Sequence, residues 1–125
     1  MTMKTRRPEE FTWNRLPRPK PLSQWLLAPD QPGFYELGFM RDSSFQPKYG
    51  GRASGLTLKE RLRQHWEHSH NAQVRCNRGQ LWFRCKALPD ARYARYVEAH
   101  YIAAFDYDWN SRQEWAEHWA REGGE

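Results

Sequence analysis

Glu98 stands in the middle of a run, residues 90–105, that reads as a helix. At 100° per residue, Ala91, Ala94, Glu98, Tyr101, Ile102 and Phe105 fall on one face. A face that apolar packs on a core, so its one carboxylate must be paired, protonated or bound to metal. An ion pair with a buried Arg is the plain alternative to a functional role. Arg61 and His65 lie four residues apart on an earlier helical run, beside its buried stripe. Long basic side chains often snorkel and histidines often sit half-buried, so this pair alone is ordinary. Charge gathered near a core edge is nevertheless how a cleft begins. His68, His70, Cys76 and Cys85 are zinc-ligand types in a short window. Their spacing matches no common finger and Cys85 falls on a strand, so a small zinc-stabilised module is the lesser reading.

The elements that must position these residues follow from pattern. Gly33–Met40 reads as a strand, with Tyr35, Leu37 and Phe39 on one side and Phe34, Glu36, Gly38 and Met40 on the other. Arg41–Gln46 reads as a hairpin loop and Pro47–Gly51 as a short second strand. Thr57 followed by Glu60 predicts a capping box and a helix to about His68, its buried stripe Leu58, Leu62 and Trp66. Residues 69–79 read as a polar, basic loop, and Gln80–Lys86 as a third strand. Asp90 caps the helix that carries Glu98, and Arg112–Arg121 reads as a last short helix. The expected fold is α+β, a small three-stranded antiparallel sheet flanked by helices. The expected organisation is a basic, Pro-rich arm with a short helix over 1–32, a core over 33–112, and a C-terminal helix and tail over 113–125.

Read in order, Gly33-Phe34-Tyr35, Tyr49-Gly50-Gly51, Arg61, His65, Glu98 and Asn110 form a series on the right elements. This series resembles the GIY-YIG nuclease family over about residues 33–110. Phe34 stands where the first motif has Ile. Gly50 stands where the second has Ile, a change expected to loosen a buried contact. The interval from Tyr35 to Tyr49 is slightly long, as a hairpin loop of variable length allows.

The resemblance implies hydrolysis of nucleic-acid phosphodiesters, DNA by preference, through water attack with one divalent ion. Single- and double-stranded substrates both stay open. It implies that Glu98 holds Mg²⁺ or Mn²⁺, as suits an oxygen ligand completed by waters and phosphate. Tyr35 is the candidate base, with His65 as its helper. Tyr49 is a candidate for orienting water or phosphate, and the sequence does not separate the two tyrosines. Arg61 would offset charge on the phosphate, and Asn110 would hold its loop against the cleft. Lys48, Arg52, Arg75, Arg78 and Arg84 are candidate phosphate contacts. Trp82, Tyr93 and Tyr96 are candidates for stacking on bases. A non-catalytic nucleic-acid-binding module on the same fold is the main alternative.

Composition narrows the class. The chain has 125 residues, one domain's worth, and its 7 Trp, 6 Tyr and 6 Phe argue against a disordered tail. No apolar run is long enough to cross a bilayer, and no secretory leader opens the chain, so a cytoplasmic protein is expected. Two cysteines read as reduced thiols rather than a disulfide framework. The net charge of +5, with Lys4, Arg6, Arg7, Arg15, Arg18 and Lys20 near the start, favours a polyanionic partner. With no recognition domain in the sequence, contacts fall to the core, its loops, the arm or a second copy in a homodimer.

Overall fold

A computed structural model of the chain describes residues 18–105 and 107–110. The arm before Arg18 and the expected helix at Arg112–Arg121 lie outside the described residues. The elements run β1 (Lys20–Pro21), a 3-10 helix (Leu22–Leu27), β2 (Gly33–Arg41), β3 (Ser44–Ala53), α1 (Leu58–His68), α2 (Ala72–Asn77), a 3-10 turn (Arg78–Gln80), β4 (Trp82–Ala87) and α3 (Ala91–Phe105).

The sheet has four antiparallel strands, not three, in the order β1-β4-β2-β3. The additional strand is two residues long and lies in the Pro-rich stretch, where proline content predicted an extended arm. It pairs Lys20 with Phe83 and Pro21 with Trp82. An edge tolerates a proline, which cannot donate to a ladder.

The β2–β3 hairpin is tighter than expected. Asp42 and Ser43 both have positive φ, 52° and 66°, so the turn has two residues and β3 starts at Ser44. Turns with positive φ at both central positions match the twist of the flanking strands. The register slips between Leu37 and Gly38, whose partners are Tyr49 and Pro47. Lys48 is therefore the bulged residue, and its carbonyl accepts from the Trp109 backbone N–H at 2.9 Å. A bulge re-aims the strand around it; here it binds β3 to the loop that carries Asn110.

β2 is central and buried on both faces from Gly33 to Gly38. On one side Tyr35, Leu37, Tyr49 and Phe83 pack with Leu58 and Leu62 of α1, and with Leu22 and Val74. On the other, Phe34 packs with Leu88, Ala94, Val97 and Tyr107. The capping box of α1 is present: the Thr57 side chain accepts from Glu60 N, and Glu60 Oε1 accepts from Thr57 N. His65, not Trp66, completes the inward stripe, because the helix points its i, i+4, i+7 row at the sheet and leaves Trp66 half-buried.

The stretch read as a loop over 69–79 instead holds α2, capped by Asn71 Oδ1 accepting from Val74 N at 3.1 Å. Its only buried side chain is Val74, too little apolar signal to show a period. The third expected strand sits two residues later, at Trp82–Ala87, because Leu81 follows a 3-10 turn. α3 begins as expected, with Asp90 Oδ1 accepting from Tyr93 N. Its inner face includes Ala94, Val97 and Glu98, while the side chains of Tyr101, Ile102 and Phe105 lie outside the described residues.

Candidate active site

Tyr35, Tyr49 and His65 meet on the α1 side of the sheet. Tyr35 faces Gly51 across the β2–β3 ladder, and Tyr49 lies two residues before Gly51 on the same side. A Cβ at Gly51 would overlap the Tyr35 hydroxyl, so glycine is what allows the phenol to cross β3. The His65 ring stands edge-on to both tyrosines, with centroids 5.5 Å from Tyr35 and 5.4 Å from Tyr49.

The polar contacts form a chain. Tyr35 Oη lies 2.6 Å from His65 Nε2, and His65 Nδ1 lies 2.8 Å from Ser69 Oγ. The backbone N–H of Asn71 donates to Ser69 Oγ, and Asn71 Nδ2 donates to the Trp109 carbonyl. A neutral imidazole has one donor and one acceptor nitrogen. We assign Nε2 as acceptor from Tyr35 and Nδ1–H as donor to Ser69, which gives both ring nitrogens a partner.

Burial first, then the charges of His70 and Arg61, lowers His65 from its usual 6.5 to about 3. Its imidazole is therefore neutral at rest, at 1% exposure. This sets a sign for stability against pH. The unfolded chain takes up a proton near pH 6.5 and the folded one only near pH 3. Stability from His65 is thus complete above about pH 6.5 and is lost as pH falls toward 3. The wild type should lose up to about 1.4 kcal/mol per pH unit more than His65→Gln in denaturation series from pH 6.5 to 4.5. Parallel curves would mean that His65 is not a buried neutral group.

Arg61 sits one turn before His65. Its Nη1 donates to Gln64 Oε1 at 3.1 Å, while its buried Nε has no hydrogen-bond partner among the described residues. A buried donor without an acceptor costs about 1–3 kcal/mol, so such a group marks a place for an acceptor oxygen.

Asn110 grips Gly50 by both backbone groups: Gly50 N donates to Asn110 Oδ1 at 2.9 Å, and Asn110 Nδ2 donates to Gly50 O at 3.0 Å. Gly50 does not loosen a buried contact, contrary to the sequence expectation. The Tyr107 ring fills the space where a Cβ would lie. Tyr107 donates its hydroxyl to Glu36 Oε2, and Glu36 Oε1 accepts from Arg84 Nε and Nη2, each at 2.7 Å. Adding one methyl by Gly50→Ala should therefore cost about 1–3 kcal/mol through overpacking. In a Tyr107→Ala background the same methyl should cost far less. A double-mutant cycle in urea reads this coupling, and additive losses would separate the two residues.

Among the described residues two carboxylates are thus buried, and they differ. Glu36, at 2% exposure, is held by Arg84 and Tyr107 in short contacts. Glu98, at 9%, has Arg52 Nη1 3.5 Å from its Oε1, well beyond the 2.7–2.9 Å of a charge-assisted hydrogen bond. Arg52 directly follows Gly51, so the Glu98 pair and the Tyr35 hydroxyl flank adjacent residues of the edge strand. A hard divalent cation fits Glu98: the donor is a carboxylate oxygen whose contact with a cationic partner is long. Among the described residues no three His, Cys, Asp or Glu gather to hold a metal, which leaves one carboxylate with waters and phosphate. Among the described residues a closed zinc site has no such donor set. Cys76 is exposed, and burial pushes the Cys85 thiol up to about 12.

The candidate phosphate contacts are dispersed. Lys48 pairs with exposed Asp108, Arg52 with Glu98 and Arg84 with Glu36. Arg75 donates to the Ser69 carbonyl and Arg78 to those of Trp66 and Glu67, so both cap the end of α1. Trp82 is half-buried, and Tyr93 stacks on Tyr96, which is exposed. Ser69, Asn71, Glu36 and Tyr107 were given no site role in the sequence reading, and His70 was read there only as a zinc-ligand type. The only sequence signal was the Ser-His-Asn cluster just after α1.

No family model matches the chain, and no curated protein matches it. Among solved structures, it is similar to the GIY-YIG N-terminal endonuclease domain of UvrC from Thermotoga maritima bound to its catalytic divalent cation, magnesium. The TM-score is 0.58 at 25% identity, over 71% of this chain and 93% of that one. Two variants of that domain, each with a tyrosine replaced by phenylalanine and bound to the cation, match at 27% identity. Their TM-scores are 0.55 and 0.53, over 72% of this chain and 93% of each.

Proposed function

The chain has a GIY-YIG-like fold, and on that premise we propose that it is an endonuclease that hydrolyses phosphodiester bonds of DNA. The observation that carries the reading is the buried Arg61 Nε beside the Tyr35–His65 pair, an N–H placed for an acceptor oxygen. A phosphate oxygen supplies that acceptor. Arg61 then offsets charge on the phosphate as it grows in the transition state.

Tyr35 Oη takes a proton from the attacking water while its own proton passes to His65 Nε2, 2.6 Å away. His65 starts neutral because burial, first, and then its electrostatic interaction with His70 and Arg61 hold it so. Those same neighbours make the imidazolium short-lived, so His65 assists within the step and does not store the proton. Ser69 fixes the ring through Nδ1. Tyr49, edge-on to His65, orients water or a phosphate oxygen. Asn110 and Tyr107 hold Gly50, and with it the segment from Tyr49 to Gly51. Glu98, with waters and phosphate, would hold a Mg²⁺ or Mn²⁺ ion that stabilises the leaving 3′-oxygen.

The test is cleavage of mixed-sequence single- and double-stranded DNA with added Mg²⁺ or Mn²⁺. Metal-dependent cleavage is expected, and chelation should abolish it. Binding without cleavage of any substrate would replace the nuclease with a non-catalytic binding module.

A further inference from the structure

The outer side of β4 is only partly covered. β1 pairs with Trp82 and Phe83, and residues 84–87 have no strand on that side among the described residues. Between that open edge and the segments entering and leaving the Leu22–Leu27 helix lies a cavity of about 310 Å³. Arg18, Lys20, Arg84 and Lys86 line it, and among the described residues no acidic one does. Arg84 is committed to Glu36. The side chains of Arg18, Lys20 and Lys86 form no ion pair among the described residues. Three such charges around one hollow repel each other, and an anion would relieve them. Besides Cys85, the remaining wall is apolar: Ala28, Pro29, Phe83, Ala87 and Leu27, a residue left 62% exposed. Cations facing an apolar wall suit a ligand with phosphates on one side and a flat, poorly hydrated body on the other.

We propose that this groove binds single-stranded nucleic acid, with phosphates on Arg18, Lys20 and Lys86 and one unstacked base against Leu27 and Pro29. A duplex keeps its bases paired inside and cannot present one to a cavity of this size. The groove borders the strand next to Tyr35, since Cys85 is the register partner of Tyr35. The inference rests on the nuclease reading for its ligand class, and the Tyr35 hydroxyl lies toward β3, at the other edge of the sheet from the groove.

The experiment is fluorescence anisotropy of a labelled oligothymidylate with the full chain, without divalent metal, across a salt series. The triple variant Arg18→Ala/Lys20→Ala/Lys86→Ala should lower the slope of log affinity against log salt by about 2, at about 0.7 per single-strand phosphate contact. Leu27→Ser should leave the slope unchanged and cost about fivefold in affinity, the size of one exposed apolar contact. An unchanged slope in the triple variant overturns the groove. So does a Leu27→Ser protein that binds as the wild type does, because the cations would then act as plain surface charge. An equal loss with a matched duplex, or displacement of the oligonucleotide by thymidine monophosphate at equal nucleotide concentration, overturns the strand as ligand. Cleavage is scored separately. A wild type that cleaves while the triple variant keeps its slope sinks the groove alone. A wild type that never cleaves while the triple variant loses its slope sinks the nuclease alone.

Discussion

Glu98→Gln yields a folded protein that still binds DNA and has lost metal-dependent cleavage by about 10³-fold or more. A thousandfold is about 4 kcal/mol of barrier, within what a bound cation supplies by stabilising charge on transferring phosphate oxygens. Gln keeps the shape of Glu and removes the charge that would hold a divalent ion. The stability cost separates this role from a structural one. A buried ion pair broken on one side costs about 3–5 kcal/mol, while an exposed pair costs at most about 1 kcal/mol. At 3.5 Å, with both side chains just over a tenth exposed, the Arg52–Glu98 contact lies between these limits. A loss of about 1–2 kcal/mol is therefore expected. Arg52→Gln provides the comparison, since a structural pair makes both substitutions equally costly. Glu98→Gln that unfolds, or that cleaves at the wild-type rate with metal supplied, would remove Glu98 from the site.

The hairpin and the two main helices were legible because local chemistry and periodicity agree there. Thr57 and Glu60 form a capping box, Asp90 caps α3, and β2 alternates cleanly between Tyr35, Leu37 and Phe34, Glu36. What was missed depends on contacts distant in sequence. β1 has two residues, one of them proline, and exists because Phe83 and Trp82 offer it a ladder. α2 rests on one buried valine and an Asn71 cap. Glu36 read only as one face of a strand, and the packing of α3 and Tyr107 on that side is what buries it.

The same division holds for the site. Tyr35, Tyr49 and His65 were readable from motif order, and the structure brings their rings together. The link from His65 to Ser69, and from Asn71 to Trp109, was not readable, because it needs α1 to end against the loop after α3. Gly50 shows why a motif departure needs its partner before it can be judged. Without Tyr107 it reads as a lost contact; with Tyr107 it is the space that a ring requires.

Tyr35→Phe folds, binds DNA close to normally, and cleaves about 10²–10⁴-fold more slowly, the range for losing a proton-transfer group. The substitution removes one oxygen. Its ring stays in the core among Leu37, Tyr49 and Leu62, so packing should persist. What is lost is the 2.6 Å contact with His65 Nε2, worth about 1 kcal/mol of stability, and a larger loss would indicate a structural bond. Binding depends on phosphate contacts that Tyr35 does not make, so affinity and its salt dependence should not move. His65→Ala should reduce cleavage into the same range, and the double variant should be little worse than either single one. Two groups in one proton relay are not additive. Tyr49→Phe is the contrast. If Tyr49 orients and does not take the proton, its hydroxyl should matter less than that of Tyr35. Cleavage by Tyr35→Phe at near the wild-type rate, together with a large loss in Tyr49→Phe, would transfer the base to Tyr49.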